Sequence, residues 1–296
     1  MDLFKKKRSG DKFIKGILFL FGAFSVVITI AIVVTLVYES ILFFQKVSFR
    51  EFFLGRTWSP LLTPRRFGVL PIVTGTFLIV FFSSFISIPI GFMSAMYLSE
   101  YSNKTIRKFL KPILELLSGI PSIVYGYFAL NFITPLLRDN IANVEVFNAL
   151  SASIAVGVMT IPMVLSMSED AMQAVPSSLR EGAYALGMTK FEVITSVVIP
   201  SAISGIMASF VLAISRAIGE TMIVALAAGS SPKLTLNPLV SIQTITGFIV
   251  QVATGDSPKG SIQEQTLYAV ALLLFLLTFG MNMLSSYISK KYREAY

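Results

Sequence analysis

The sequence predicts an all-α, polytopic membrane protein with six transmembrane helices. Of its 296 residues, 54% are hydrophobic and only 14% are charged, whereas a water-soluble domain carries about 25% charged residues. The mean hydropathy is +0.76. The chain also contains six apolar stretches that are long enough for a helix to cross the ~30 Å hydrocarbon core of a bilayer.

The six stretches give the predicted spans in order, at about residues 16–38, 70–98, 112–137, 147–167, 202–228 and 267–288. The first follows a basic segment but is too long for a secretory signal and lacks a cleavage site, so we interpret it as an uncleaved span. The third contains Gly119 and Pro121, which predict an interrupted helix, since proline frees a carbonyl and kinks the axis.

Two residue types are absent, which excludes several kinds of chemistry. The sequence has no Cys and no His, so zinc or haem sites with the usual ligands, a catalytic triad and a thiol nucleophile lack their parts. A membrane-embedded enzyme is disfavoured for the same reason. The sequence also lacks a G-x-x-x-x-G-K-[ST] loop. We therefore expect the chain to bind no cofactor, and any use of ATP to depend on a partner.

The basic residues predict the orientation of the chain in the membrane. The net charge is +8, but the charges stand in short runs at the edges of apolar stretches, which is typical of topology signals rather than of nucleic-acid binding. Six spans place both termini on one side, which holds 15 of the 24 Lys and Arg residues; eight lie on the other side and Arg216 lies inside a span. The positive-inside rule then predicts cytoplasmic N and C termini.

The segment at residues 41–54 mixes apolar and charged side chains. It fits an amphipathic helix in the outer interface, or equally a loop whose apolar residues pack on the bundle. The spans and loops divide the chain into two predicted parts. Residues 1–66 comprise the N-terminal cytoplasmic segment, the first span and this outer segment, and residues 67–296 form a five-helix core with a cytoplasmic loop at about 168–200.

That cytoplasmic loop carries signals for a helix-turn-helix elbow. Residues 178–181 form a capping box that opens a short helix, and Gly187 can end this helix in a left-handed conformation. Residues 189–192 form a second capping box. Its helix is predicted to close at Pro200, near the membrane surface.

The elbow has two possible uses. Small residues thin the first helix, whereas Tyr184, Leu186 and Phe191 leave apolar groups facing away from the bilayer. Such a helix is suited to docking in a groove of another protein. Alternatively, the elbow is a hairpin packed on the floor of the bundle.

The elbow resembles the EAA motif of bacterial ABC-importer permeases, written E-A-A, three residues, G, nine residues, I-x-L-P. The matching residues are Glu181, Gly182, Ala183, Gly187 and Pro200. The sequence departs from the motif at Gly182, where Ala is usual, and has V-V-I-P at residues 197–200. In that family the motif is a coupling helix inserted into the ATPase subunit, so the resemblance implies that these residues transmit ATP-driven motion.

Arg216 and Glu220 lie inside the fifth predicted span, followed by Thr221. An unpaired charge at this depth costs at least ~2.5–3.5 kcal/mol. The i, i+4 spacing predicts that Arg216 and Glu220 share one helix face and can neutralise each other. The functional interpretation is a polar pathway in which the Arg216 guanidinium meets an anion such as phosphate. The alternative is a structural ion pair that joins helices.

Residues 215–222, S-R-A-I-G-E-T-M, resemble the G-R-A-[LI]-G-E-T-M segment of the C-type permeases of phosphate-specific (Pst) importers. Residues 118–126 and 174–187 resemble the same family, and Ser215 replaces a common Gly. The resemblance implies a type I ABC-importer permease fold in the bacterial inner membrane, with Arg216 and Glu220 in the phosphate pathway. It also implies three partners: a sister A-type permease, a homodimeric ATPase that binds ATP and Mg²⁺, and an extracytoplasmic phosphate-binding protein.

The kink at Gly119, Pro121 and Ser122 has two interpretations as well. Backbone irregularity is tolerated where it faces protein or a wet cavity, so these residues either line the path or form a merely structural kink. We expect the hydroxyls of Ser118 and Ser122 to bond the freed backbone groups and Tyr125 to reach the cavity.

The sequence therefore predicts a permease subunit that moves inorganic phosphate inward by alternating access. Two alternatives stay open at this point. One is a related permease for another oxyanion, such as molybdate, sulfate or phosphonate. The other is an ATP-independent secondary transporter or channel.

Overall fold

The computed structural model describes residues 3–255 and 258–291 and confirms the all-α fold class. Within these residues the only extended pairing is an isolated bridge between Trp58 and Phe67. Three π-helical turns, Tyr97–Tyr101, Ala129–Ile133 and Ile194–Val198, extend or join α-helices. The α-helices are α1 (Leu3–Phe44), α2 (Phe49–Leu54), α3 (Leu70–Met96), α4 (Lys104–Ser118), α5 (Ser122–Phe128), α6 (Thr134–Asn140), α7 (Ala149–Gln173), α8 (Ser177–Ala185), α9 (Lys190–Val193), α10 (Ile199–Ile218), α11 (Met222–Ala227), α12 (Ile245–Ala253) and α13 (Ile262–Lys291).

Five continuous helical segments of the described chain are long and apolar enough to cross a membrane. They are Lys12–Phe44, Leu70–Tyr101, Ala149–Gln173, Lys190–Ile218 and Ile262–Lys291. A sixth crossing results if the bent pair Thr105–Ser118 and Ser122–Asn140 is counted as one span. The protein is therefore a multi-pass membrane protein, as predicted.

The interruption predicted within the third span is confirmed. Residues 112–118 belong to α4, and the two halves of the bent pair meet at 86°. Gly119 ends α4, and Pro121, which has no N–H to donate, stands immediately before α5. Gly119 and Pro121 thus divide the predicted third span into two helical parts, and α4 packs against α7.

Helices α3 and α7 form the centre of the bundle and pack closely through small residues. A Cβ atom added to Gly91 would lie 2.7 Å from Cβ of Val164, and one added to Gly157 would lie 3.0 Å from Cβ of Ile86. Small residues at such contacts let helix backbones approach in a membrane, where packing rather than the hydrophobic effect holds helices together. Helix α10 packs on α3 and α7, α13 on α10, and α1 on α13.

Residues 41–54 form helix rather than irregular loop. Helix α1 continues to Phe44, and α2 follows after a turn. Phe43, Val47 and Phe52 are buried in a cluster with residues of α12 and α13, while Phe49 remains exposed. The segment therefore packs on the bundle with one face. Its placement in the membrane interface stays a prediction.

We call the end of the bundle that holds residues 41–69, 141–148 and 229–244 the loop face. Glu145 ties two of its segments together, since its carboxylate accepts a hydrogen bond from the Ser241 N–H at 2.7 Å and lies 3.4 Å from Lys233 Nζ. The Ser241 N–H above all, and then Lys233, hold the pKa of Glu145 below its ordinary value.

The opposite end carries α8 and α9, and we call it the elbow face. Glu169, near the end of α7, is fully buried there. Its Oε1 lies 2.7 Å from Arg107 Nε and accepts from Gln173 Nε2 at 2.8 Å. Lys111 Nζ lies 3.1 Å from Oε2, an ion-pair distance without hydrogen-bond geometry. This cluster holds α4 across the end of α7.

Arg180 of α8 completes the elbow face. Its guanidinium donates to the carbonyls of Met172 at 2.7 Å and Val175 at 2.6 Å, and it forms a 3.2 Å ion pair with Glu100. The last carbonyls of a helix have no partner within the helix, so a cation there is favourable. Arg180 thereby fixes α8 to the end of α7.

We predict that Glu169→Gln destabilises the protein by roughly 1–3 kcal/mol, because it leaves Arg107 and Lys111 without their buried counter-charge. The loss stays below the ~3–5 kcal/mol of a fully buried pair because both cations are partly exposed. The measurement is the melting temperature of the purified protein in detergent.

Asp170→Asn is the matched control, since Asp170 is adjacent, also pairs with Lys111 and is mostly exposed. A surface pair of this kind contributes about 0–1 kcal/mol. Equal melting temperatures for the two variants would contradict the structural role of Glu169.

Candidate functional site

The membrane helix that carries Arg216 is broken next to it. Helix α10 ends at Ile218, Gly219 caps it, and α11 begins at Met222. The Thr221 hydroxyl donates to the Gly219 carbonyl at 3.0 Å, a local bond that competes with helical pairing. The prediction of one continuous span over residues 202–228 is therefore wrong.

The break also overturns the expected pairing of Arg216 with Glu220. The two residues do not lie on one helix face, because the helix ends between them. Glu220 is buried, and its Oε1 accepts from the Ile223 N–H at 3.2 Å. Its carbonyl accepts from the Thr246 hydroxyl at 2.6 Å. Glu220 thus anchors the first turn of α11 and the start of α12.

Arg216 is exposed, and within the described chain it forms no salt bridge. Helix α5 packs on α11, which begins directly after this break. A guanidinium offers planar, paired N–H donors that match the oxygens of phosphate or carboxylate. The described residues thus leave the guanidinium without a carboxylate partner, and its donors are available to an anion.

A second helix break, at Gly119, Pro121 and Ser122, directly precedes the helical turn that carries Tyr125. Gly119 caps α4, Pro121 caps α5, and Ser122 is the first residue of α5. The Tyr125 hydroxyl donates to the Leu117 carbonyl at 2.8 Å. A carbonyl near the end of α4 is thus satisfied by Tyr125, which we expected only to reach the cavity. An apolar cavity of about 620 Å³ lies against Gly119 and Pro121.

The two broken helices touch each other. A Cβ atom added to Gly126 of α5 would lie 3.1 Å from Cα of Ile223 on α11, so a larger residue would push the two helices apart by a few tenths of an ångström. The structure therefore brings Arg216, Glu220 and Thr221 together with α5, and the Gly119–Ser122 break stands about one turn of helix from Tyr125.

The elbow forms as predicted, apart from its first capping box. Helix α8 begins at Ser177 after Pro176, with no side-chain cap, so the box at residues 178–181 is wrong. The box at residues 189–192 is confirmed: the Thr189 hydroxyl accepts from the Glu192 N–H at 3.4 Å, and Glu192 Oε2 accepts from the Thr189 N–H at 2.7 Å. Gly187 has φ +81°, the left-handed conformation that was predicted.

The prediction that Pro200 ends the second helix of the elbow is wrong. Residues Lys190–Ile218 form one continuous helical segment, in which the π-helical turn Ile194–Val198 immediately precedes α10. Proline has no N–H to donate, and its ring clashes with the carbonyl of the preceding turn in a regular α-helix. The wider π-helical turn relieves this clash, so the helix continues past Pro200. The elbow is therefore joined without interruption to the helix that carries Arg216.

The elbow has one face on the bundle and one face exposed. Ala183 and Val193 are buried in the cluster that includes the ends of α3 and α7. Glu181, Gly182 and Gly187 are exposed, and Leu186 is 84% exposed. A side chain at Gly182 would meet no atom within 4 Å. The packed-hairpin interpretation thus describes the inner face, and the outer face is free for a partner.

Sequence reasoning missed two contributors to this site. Thr246 fixes the Glu220 carbonyl, and Glu169 fixes α4 on the elbow face. The polar run at residues 241–246 and the acidic pair at the end of the fourth span are the signals that could have indicated them. Neither signal predicts which residue is contacted, because Glu220 and Arg107 are distant in sequence from Thr246 and Glu169, respectively.

Comparisons with known proteins agree with this architecture. Residues 87–294 match the family described as binding-protein-dependent transport system inner membrane component. The probable ABC transporter permease protein YqgH of Bacillus subtilis (strain 168) is 34% identical over 241 residues, 81% of this chain and 78% of that protein. The phosphate transport system permease protein PstC of Xylella fastidiosa (strain 9a5c) is 31% identical over 249 residues, 78% of this chain and 75% of that protein.

The fold is similar to that of a solved bacterial alginate ABC transporter in complex with an alginate-bound periplasmic protein. The TM-score is 0.60 at 15% sequence identity, covering 88% of each chain. The family model and the sequence relatives confirm the resemblance found in the motifs. The chain belongs to the inner-membrane components of binding-protein-dependent transport systems, and among them to the PstC-type permeases.

Proposed function

We propose that this chain is a permease subunit of an ATP-driven importer that carries inorganic phosphate into the cytoplasm by alternating access. The proposal rests above all on Arg216, an exposed guanidinium without an internal counter-charge beside a break in a membrane helix. A charge left unpaired there is costly, and a transported anion offsets that cost. The printed names of the PstC relatives support phosphate as the anion.

In this proposal each residue at the break has a distinct role. The Arg216 guanidinium binds phosphate oxygens in a bidentate manner. Glu220 holds the break in shape through its bonds to Ile223 and Thr246, which leaves Arg216 free for the anion. Thr221 adds a hydroxyl at the same point. Residues Gly119, Pro121 and Ser122 border the path at the start of α5, the helix that packs on α11.

ATP acts through a partner. The chain itself performs no covalent chemistry and binds no cofactor, and a homodimeric ATPase binds ATP and Mg²⁺. We assign the outer face of the elbow, from Glu181 to Gly187, to the docking of that ATPase. The exposed apolar side chain of Leu186 supports this assignment, because a short helix with a free apolar residue fits a groove on a partner.

The remaining partners follow from the same proposal. A sister A-type permease completes the pathway, and an extracytoplasmic phosphate-binding protein delivers the anion at the loop face. The excess of Lys and Arg on the elbow side supports a cytoplasmic elbow face with both termini in the cytoplasm.

We predict that Arg216→Ala lowers ATP-driven uptake of radiolabelled phosphate by at least about tenfold, since hydrogen bonds to a charged group contribute about 1.5–3 kcal/mol. The measurement uses proteoliposomes that contain this chain, its partner permease, the ATPase and the binding protein. Stimulation of ATP hydrolysis by the binding protein should persist, because the elbow is unchanged.

Arg216→Lys is the matched control, since it keeps the charge and removes the planar fork. Its uptake should lie between the wild type and the Ala variant. Normal uptake by Arg216→Ala would remove Arg216 from the path. If the wild-type transporter moves molybdate, sulfate or phosphonate but no phosphate, then that oxyanion is the substrate and phosphate is not.

We also predict that Leu186→Glu weakens binding of the ATPase at least about tenfold, since burying a leucine contributes about 1.5–3 kcal/mol and a carboxylate in its place adds a desolvation cost. The measurement is co-purification of the ATPase with the membrane subunits at several concentrations.

Leu236→Glu is the matched control, because Leu236 is 78% exposed and lies on the loop face. It should leave ATPase binding unchanged. If both variants bind the ATPase like the wild type, the elbow is not the docking surface.

A further inference from the structure

An open groove of about 680 Å³ runs between α10 and α13. Ala208 and Leu212 line it from α10. The α13 side is polar over two turns and consists of Asn282, Ser285, Ser286, Ser289 and Lys290. These residues are not part of the site described above.

The position of the groove in the membrane makes its polarity significant. It lies along α13, one of the long apolar helices of the described chain, and Asn282 and Ser286 are exposed. Leu284 and Tyr287 cover the other side of the same helix and are exposed as well. Polar groups are costly against lipid and are tolerated where they face water or protein. The polar side of α13 is therefore suited to a wet cavity.

Ser285 adds a hydroxyl that its own helix does not use. Its side chain lines the groove and is only 6% exposed, yet its hydroxyl has no hydrogen-bond partner in the part of the chain that the structure describes. Thr278, two turns earlier on α13, instead donates to the Leu274 carbonyl at 3.0 Å. A hydroxyl that opens into the groove and does not bond its own helix is available to a group in the groove.

The groove leads to Arg216. Ala208, Leu212 and Arg216 follow one another at four-residue spacing and thus lie along one side of α10. At the level of Arg216, the Ser215 hydroxyl donates to Asn282 Oδ1 at 3.4 Å and joins the two helices. At the other end stands Lys290, in the last turn of α13. Eight residues of helix, about 12 Å, separate Asn282 from Lys290.

We infer that this groove is the exit segment of the anion path, from Arg216 to the elbow face. The hydroxyls of Ser285, Ser286 and Ser289 and the amide of Asn282 replace part of the hydration shell of the oxyanion, and Lys290 attracts it to the exit. Neutral donors bind an anion less tightly than a guanidinium does, so the anion is passed on rather than held. The inference rests on the proposed function, since it extends the path of the same anion.

The absence of cysteine from the chain permits a direct test. Single cysteines replace Asn282, Ser286 or Ser289 in the assembled transporter, with Leu284→Cys and Tyr287→Cys as matched controls on the opposite side of α13. An anionic methanethiosulfonate reagent is applied to proteoliposomes during ATP turnover, and labelling is measured on this chain. The reactive form of a cysteine is its thiolate, which forms where the side chain is in contact with water. Fast labelling therefore reports a hydrated position.

The groove cysteines should react at least about tenfold faster than the controls, because charged reagents are excluded from the hydrocarbon region. Inorganic phosphate should slow their reaction, and labelling should reduce uptake. Equal rates at all five positions, or rates that phosphate does not change, would overturn the inference. Three groove positions keep the test valid if one variant fails to assemble with the ATPase.

Wild-type phosphate uptake, measured in the same proteoliposomes, distinguishes a failure of the exit groove from a failure of the proposed function. If the wild type transports phosphate and the groove cysteines do not react, the exit groove alone is wrong. If the wild type moves no phosphate, the proposed function is wrong, and phosphate protection at the groove is lost with it.

Discussion

Inside the hydrocarbon region, a polar group must bond to protein or face water, and this constraint sorts the polar residues of the bundle. Glu220, Thr246 and Tyr125 are satisfied internally and hold the broken helices in place. Among the described residues, Arg216 forms no salt bridge, and the hydroxyl of Ser285 on the groove side of α13 forms no hydrogen bond. The first group builds the scaffold, and the second is what remains for a transported anion and its partners.

The same helix connects the two ends of the proposed mechanism. The segment Lys190–Ile218 runs from the elbow to the break beside Arg216 without interruption, a length of about 43 Å at 1.5 Å per residue. Arg180 and Glu169 fix the elbow and α4 to the end of α7. A displacement of the elbow by a partner therefore reaches the break through a continuous helix. The breaks on either side of Tyr125 are the points at which the helices can change direction.

The sequence predicted the features that depend on local composition. Apolar length predicted the spans, and Gly187 and the box at residues 189–192 predicted the elbow. The cost of a charge within a membrane span singled out Arg216. The errors arose where distant contacts decide the structure. Helical spacing alone paired Arg216 with Glu220, whereas Ile223 and Thr246 take the polar groups of Glu220. Pro200 was read as a stop signal, but the π-helical turn before it carries the helix past the proline.

The central claim is that Arg216 is free of internal partners because its partner is the transported anion. The most direct measurement is a cryo-electron microscopy structure of the assembled transporter in lipid nanodiscs, with and without phosphate. The account predicts phosphate density within about 2.7–2.9 Å of the Arg216 guanidinium, with Glu220 still bound to the first turn of α11. An Arg216 that is paired with a carboxylate of a neighbouring subunit in both structures, with no anion beside it, would contradict the account.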